Sequence, residues 1–148
     1  MAGNPQIAQG TLNRIRGSVV IPNLPALNIT APDLSPQGIS IAFEGEATGQ
    51  LPTMTGTVTS GAPYQMVTVT IALLKTQSLS QAWEAQRQTL STIGDITVTP
   101  DASTLSPYLF NNCSIDNVSP LTFAGVDASY ILTLKGYYQI NADLWSLV

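Results

Sequence analysis

Gln65-Met-Val-Thr-Val-Thr-Ile-Ala-Leu-Leu-Lys-Thr76, then Gln77, then Ser78-Leu-Ser-Gln-Ala-Trp-Glu-Ala-Gln-Arg-Gln-Thr-Leu-Ser-Thr-Ile93: across this stretch the hydrophobic period changes from two to about 3.6. In the first part Val67, Val69, Ile71 and Leu73 share one face of an extended chain, and β-branched residues dominate, which predicts a strand. Met66 and Leu74 make its second face partly apolar, as expected of a strand covered on both sides. In the second part Leu79, Ala82, Trp83, Leu90 and Ile93 recur at helical spacing, which predicts a helix over 78–93 anchored by Trp83. Ser78 with Gln81 fits a capping box, Glu84 and Arg87 form an i,i+3 pair, and Gly94 fits a helix stop.

Upstream, Ile39-Ser-Ile-Ala-Phe-Glu-Gly-Glu-Ala-Thr48 alternates strictly. Ile39, Ile41, Phe43 and Ala47 point one way, and Ser40, Ala42, Glu44, Glu46 and Thr48 the other. Gly49-Gln-Leu-Pro52 is expected to turn, and Thr53-Met-Thr-Gly-Thr-Val-Thr59 to return with Thr53, Thr55, Thr57 and Thr59 on one face. The expectation is a hairpin over 39–59 with one polar face of hydroxyls and two carboxylates.

The first strand is expected over Arg14-Ile-Arg-Gly-Ser-Val-Val-Ile21, after a flexible or partner-ordered arm at 1–13. Between 22 and 38 the prolines Pro22, Pro25, Pro32 and Pro36 deny a sheet its N–H donors, so this segment is extended but not paired throughout. Its apolar residues Leu24, Leu27, Ile29 and Leu34 pack either on their own domain or, as an arm, across a neighbouring subunit. Downstream, strands are expected at Asp95–Thr99, at Tyr108–Val118 with an irregular middle at Asn111-Asn112, and at Tyr130–Asn141. The plan is a single domain over 1–148, mainly β, sandwich- or barrel-like, with about seven strands and one mid-chain helix.

The composition is unusual in its charge. Asp, Glu, Lys and Arg make up 9 % of the 148 residues, against about 25 % in ordinary soluble domains. The exterior is left to 17 Thr, 13 Ser, 10 Gln and 8 Asn. Interspersed charge keeps monomers apart, so a chain this poor in it suits burial against neighbours. A Thr/Ser-rich secreted β protein would have the same texture. The start, Met1-Ala-Gly-Asn-Pro-Gln, carries no basic and apolar leader, and no stretch reaches the roughly 20 apolar residues of a bilayer span. The expectation is a chain made in the cytoplasm without membrane attachment.

Most catalytic chemistry is removed by what is missing. The chain has no histidine and one cysteine, Cys113, which excludes Ser-His and Cys-His nucleophiles, His-based zinc sites and any internal disulfide. Glu44 and Glu46 are the only closely paired carboxylates on a strand, and their neighbours are hydroxyls where a glycosidase needs aromatic sugar platforms. Five scattered bases, Arg14, Arg16, Lys75, Arg87 and Lys135, in a chain of net charge −4 cannot form a phosphate-binding stripe. No enzyme, metal or cofactor is expected.

The order of elements is similar to that of the tail tube proteins of contractile-tailed bacteriophages, and so to R-type bacteriocin and type VI secretion tubes. The likeness rests on a strand and Pro-rich arm, the polar-faced hairpin at Ile39–Thr59, the long strand Gln65–Thr76, the helix opening Ser78-Leu-Ser-Gln-Ala-Trp83, and closing strands; it covers about residues 12–144. It implies a barrel-like sandwich flanked by a helix, and hexameric rings stacked into a hollow tube that conducts DNA during ejection. It also implies a sheath, baseplate and tail terminator as partners and a place in the virion tail, after assembly in the host cytoplasm. By position, Glu44, Glu46, Thr55 and Thr57 would face the lumen, where passing DNA is not specifically bound. The alternatives are another virion ring or decoration protein (baseplate, tail terminator, capsid decoration) and a secreted carbohydrate-binding β module.

Overall fold

The computed structural model describes residues 6, 8–10, 16–102, 104–123 and 125–143. The arm expected over 1–13 lies outside them except for 6 and 8–10, and so do Arg14 and Ile15 at the start of the first expected strand. In chain order the elements are β1 (Gly17–Val20), single 3-10 turns at Pro25–Leu27 and Ala31–Asp33, β2 (Leu34–Glu44), β3 (Thr48–Pro52), β4 (Thr57–Gly61) and β5 (Tyr64–Leu74), followed by α1 (Ser78–Thr89), β6 (Thr92–Pro100), β7 (Tyr108–Val118) and β8 (Ser129–Gln139). The chain is mainly β with one mid-chain helix, and the described residues carry eight strands where about seven were expected.

Six strands form one antiparallel sheet in the order β1-β6-β7-β8-β5-β2, and β3 and β4 form a separate two-stranded sheet. The sheet curls until its two edges almost meet: a Cβ on Gly17 of β1 would lie 3.1 Å from Ile39 Cδ1 of β2. The result is a nearly closed barrel with its seam between β1 and β2, where a cleft of about 520 Å³ remains. Val67, Val69, Ile71 and Leu73 of β5 point inward and are buried, together with Phe110, Leu132, Leu134 and Ile96. The other face of β5 is more open than its sequence predicts, because Met66 is exposed and Thr68 and Thr70 are half-buried. At one end an aromatic group closes the barrel: Phe43 meets Tyr138 edge-on at 5.6 Å and Tyr108 at 6.2 Å.

The 22–38 segment resolves the choice left open for its apolar residues. Leu27 and Ile29 are buried in the chain's own core, and Leu24 and Leu34 pack against it. Val19 and Ile29 exchange both backbone hydrogen bonds, so this segment covers part of the free edge of β1. These side chains are therefore no arm across a neighbour; an apolar patch this close to its own core gains more by local burial. Leu34 already opens β2, which runs through Pro36 beside a register shift between Leu34 and Ile39.

The expected hairpin over 39–59 is also corrected. The Ile39–Glu44 half pairs with β5, Ile39 opposite Ile71 and Glu44 opposite Met66. The hairpin that forms is shorter, Thr48–Pro52 with Thr57–Gly61, and is inserted between β2 and β5. Alternation alone could not decide this, since β5 offers the Ile39-Ile41 face a larger apolar partner than Met54 and Val58 do.

The helix stops at Thr89, not Ile93, and Leu90 is already extended (φ −158°). Ile93 matches the helical spacing, but burial in β6 outweighs that match. Gly94 is no helix stop. It sits within β6 at φ +83°, between two register shifts, where a Cβ would strike the Asn23 side chain at 2.3 Å. The cap residue is Gln77 and no side chain caps it; the Ser80 hydroxyl donates to the Gln77 carbonyl instead. Trp83 is completely buried and anchors α1 against the Pro25–Leu27 turn and β5.

Candidate functional site

With catalytic groupings sparse, the surface that stands out is the β3–β4 hairpin. Opposed pairs Leu51–Val58 and Gln50–Thr59 alternate along it. One face therefore carries Thr48, Gln50, Thr57 and Thr59, and the other Leu51 and Val58 with Gly49 and Ser60. The Gln50 amide donates to Thr59 Oγ1 at 3.1 Å, tying the polar face across the two strands. The turn is ordered by Thr53 N–H to the Gly56 carbonyl and by Gly56 N–H to Thr53 Oγ1. At the base the Asn141 amide donates to the carbonyls of Ala47 and Ala62, with Asn141 in the left-handed region at φ 51°.

Beyond that base the hairpin is uncovered. Every residue from Gln50 to Ser60 is exposed, including Leu51, Val58 and Met54. An isolated two-stranded hairpin is marginal in water, and this one leaves its apolar face wet. It contains no ionisable side chain.

The four residues expected to share one polar surface are separated by the fold. Glu44 is the last residue of β2 and accepts a 2.7 Å hydrogen bond from Thr68 Oγ1 of β5. Glu46 lies beyond Gly45, whose φ of +83° breaks the alternation, so it does not continue the face of Glu44. Thr55 sits in the β3–β4 turn and Thr57 on the hairpin's polar face. Gln50 belongs to that face as well and was missed, because Gly49 and Pro52 make its surroundings look like a turn. The signal was available in the pairing of Thr48 and Gln50 with Thr57 and Thr59 about a turn at 53–56.

Next to the hairpin base, Tyr64, Met66, Tyr137 and Gln139 line an open groove of about 750 Å³, with the two tyrosine rings edge-to-face at 5.8 Å. Further along the same outer sheet surface lie Ser40, Thr68, Thr70 and Thr133, with Lys135 placed 3.8 Å from Asp116. It is a surface of hydroxyls with few charges. Among the described residues no strand pairs with the outer edge of β2, which faces β1 across the seam.

Two further polar groups have structural surroundings. Cys113 is fully buried, and burial first, with the Asp95 charge second, pushes its thiol up to about 12. Glu84 accepts from Arg87 at 2.7 Å and from the Tyr130 hydroxyl, which clasps the helix to β8. Those bonds, Arg87 first and then Tyr130, hold the Glu84 carboxyl below its ordinary value, while burial and then Glu84 raise Tyr130. Among the described residues no three His, Cys, Asp or Glu side chains gather as metal ligands, and no helix is long and apolar enough to cross a membrane.

Compared with known proteins, the chain matches no family model and no curated protein.

Proposed function

We propose that the chain is the repeating subunit of a phage tail tube: it forms hexameric rings that stack into a hollow conduit for DNA. The observation that carries this reading is the β3–β4 hairpin, which is ordered, uncharged, two-faced and uncovered. Such an element lowers its free energy when its apolar side is covered, and in this reading other copies cover it. The edge of β2, which no described strand pairs, and the charge-poor outer sheet support the same reading, because strand edges are otherwise hazards that proteins blunt with charge. A wall of hydroxyls, with Glu44 and Glu46 adding negative charge at separate places, would give DNA phosphates nothing to grip. In this reading the tube sits in the virion tail inside a sheath, between baseplate and terminator, and does no chemistry of its own.

Negative-stain microscopy of the purified chain tests the proposal. Hollow tubes built of stacked rings are the expected result. Discrete rings that never stack would point to a terminator or baseplate ring, and a stable monomer at high concentration would overturn the reading.

A further inference from the structure

The exposed apolar side chains are concentrated at two opposite ends of the barrel. β5 and β8 pair along their full length, Tyr64 opposite Gln139 at one end and Leu74 opposite Ser129 at the other, roughly 35 Å apart for eleven residues. The β3–β4 hairpin leaves from the Tyr64 end and shows Met54 at 101 % exposure, with Leu51 and Val58 half open. The 119–128 loop, which joins β7 to β8, leaves from the Leu74 end and shows Phe123 and Val126 at 95 % and 98 %.

Both tips are held in place from within. Lys75 reaches under the loop, donates to the carbonyls of Thr122 and Asp127, and stands 3.7 Å from the Asp127 carboxylate. Asp127 Oδ1 also accepts the Ser129 N–H. The hairpin turn is fixed by Thr53 and Gly56. Such internal bonds, made ahead of contact, lower the entropy cost of association. Their charges match as well: the hairpin has none, and the loop's one charge, Asp127, is offset by Lys75, so joining them strands no unpaired ion.

From this we infer that the hairpin tip of one copy docks on the 119–128 loop of the next, Met54 against Phe123 and Val126, as a head-to-tail contact that stacks subunits along the barrel axis. The inference rests on the self-assembly reading above and names the surfaces that would carry it. A contact between different patches on two copies does not close as a two-fold dimer does, and translation along the axis makes it an open filament. Its size decides how it behaves. A fourteen-residue hairpin (Thr48–Gly61) meeting a ten-residue loop (119–128) falls short of the ~20–30 residues a side of a standard stable interface. One such contact is too weak to hold two copies together, so it persists only when several form in parallel around a ring.

Disulfide trapping tests it, since the native Cys113 is buried and silent. A chain carrying both Met54→Cys and Phe123→Cys, oxidised after assembly, should run on a non-reducing gel as a ladder of covalent multimers. Each single variant should run as monomer. Dimers from either single variant would mean a two-fold contact and overturn the inference. Tubes visible in the microscope without a ladder would overturn it too, while leaving the tube reading intact. If the wild-type chain never assembles, both fail together. As a second arm, Phe123→Ser with Val126→Ser alters exposed side chains only, so the fold should be unchanged by circular dichroism while tubes give way to separate rings. Tubes of normal length from that variant would count against the loop as a docking surface.

Discussion

Gly136 in β8 lies against the side of β7, where a Cβ would come within 2.5 Å of Cys113 Sγ and 3.0 Å of the Asn111 carbonyl. Part of the obstruction is backbone, so the site cannot yield by a rotamer change. Gly136→Ala should cost about 1–3 kcal/mol in urea-unfolding measurements, and adding Cys113→Ala should return some but not all of it. Trp83 tests the opposite defect. Its indole Nε1 meets no acceptor among the described residues although it is buried. Trp83→Ala should cost about 3–5 kcal/mol through the cavity it leaves, whereas Trp83→Phe, which also removes the unpaired N–H, should cost far less. An equal loss in both would mean that the indole N–H is satisfied by another group. Cys113 gives a signature in alkali. Its folded value lies above the ordinary 9.0, so its contribution to stability is complete below about pH 9 and is lost as pH rises toward about 12. Cys113→Ala should flatten that part of the curve of thermal midpoint against pH, and the native thiol should resist alkylation at pH 8 until denaturant is added.

The helix and the hairpin show which elements could be known from residues alone. α1 was legible in type because Leu79, Ala82 and Trp83 fit one period, and its start at Ser78 follows from the change of period. Its end was not, because Leu90 and Ile93 also fit the helical period and only the pairing of β6 with β7 places Ile93 in a strand. The Asn111-Asn112 irregularity was readable from composition: Asn tolerates the left-handed backbone that Asn112 adopts at φ 51°. Of the hairpin only the polar side of Thr57 and Thr59 was legible, because β3 lies where a turn was expected at Gly49–Pro52; the partner of Ile39–Glu44 was not legible, since pairing with a strand some twenty-five residues on leaves no local mark. At this scale the Glu84 clasp sets a prediction for acid. The carboxyl titrates below its ordinary 4.5 when folded, so its contribution is present above about pH 4.5 and fades as pH falls beneath it. Glu84→Gln should remove that part of the acid sensitivity of the α1 packing, read by Trp83 fluorescence between pH 5 and 3. An unchanged acid profile would mean the clasp is energetically idle.

For the whole molecule, the mainly β, barrel-like plan was legible because alternation, turn residues and a single helix restrict the choices. The surface proposed for assembly was anticipated only as a compositional deficit of charge. Its location required the fold, which separates Glu44 from Glu46 and exposes the tips at opposite ends. If the proposed conduit is right, Glu44→Lys with Glu46→Lys should still form tubes, because neither side chain is buried, but should slow or block DNA delivery by retaining phosphates on the wall. Normal delivery by tubes of that variant would remove both acids from the lumen.

The position of β8 has a consequence for biosynthesis. β1, β6 and β7 form one half of the sheet and β5 and β2 the other, and only β8, the latest of the described strands in chain order, joins them. Until β8 is made, the two halves share no strand and the sheet cannot close. Closure waits for β8 to emerge and be threaded between partners already made, a slow step dominated by distant pairings. If the proposed assembly is right, a nascent chain that still lacks β8 is not yet a polymerisable one.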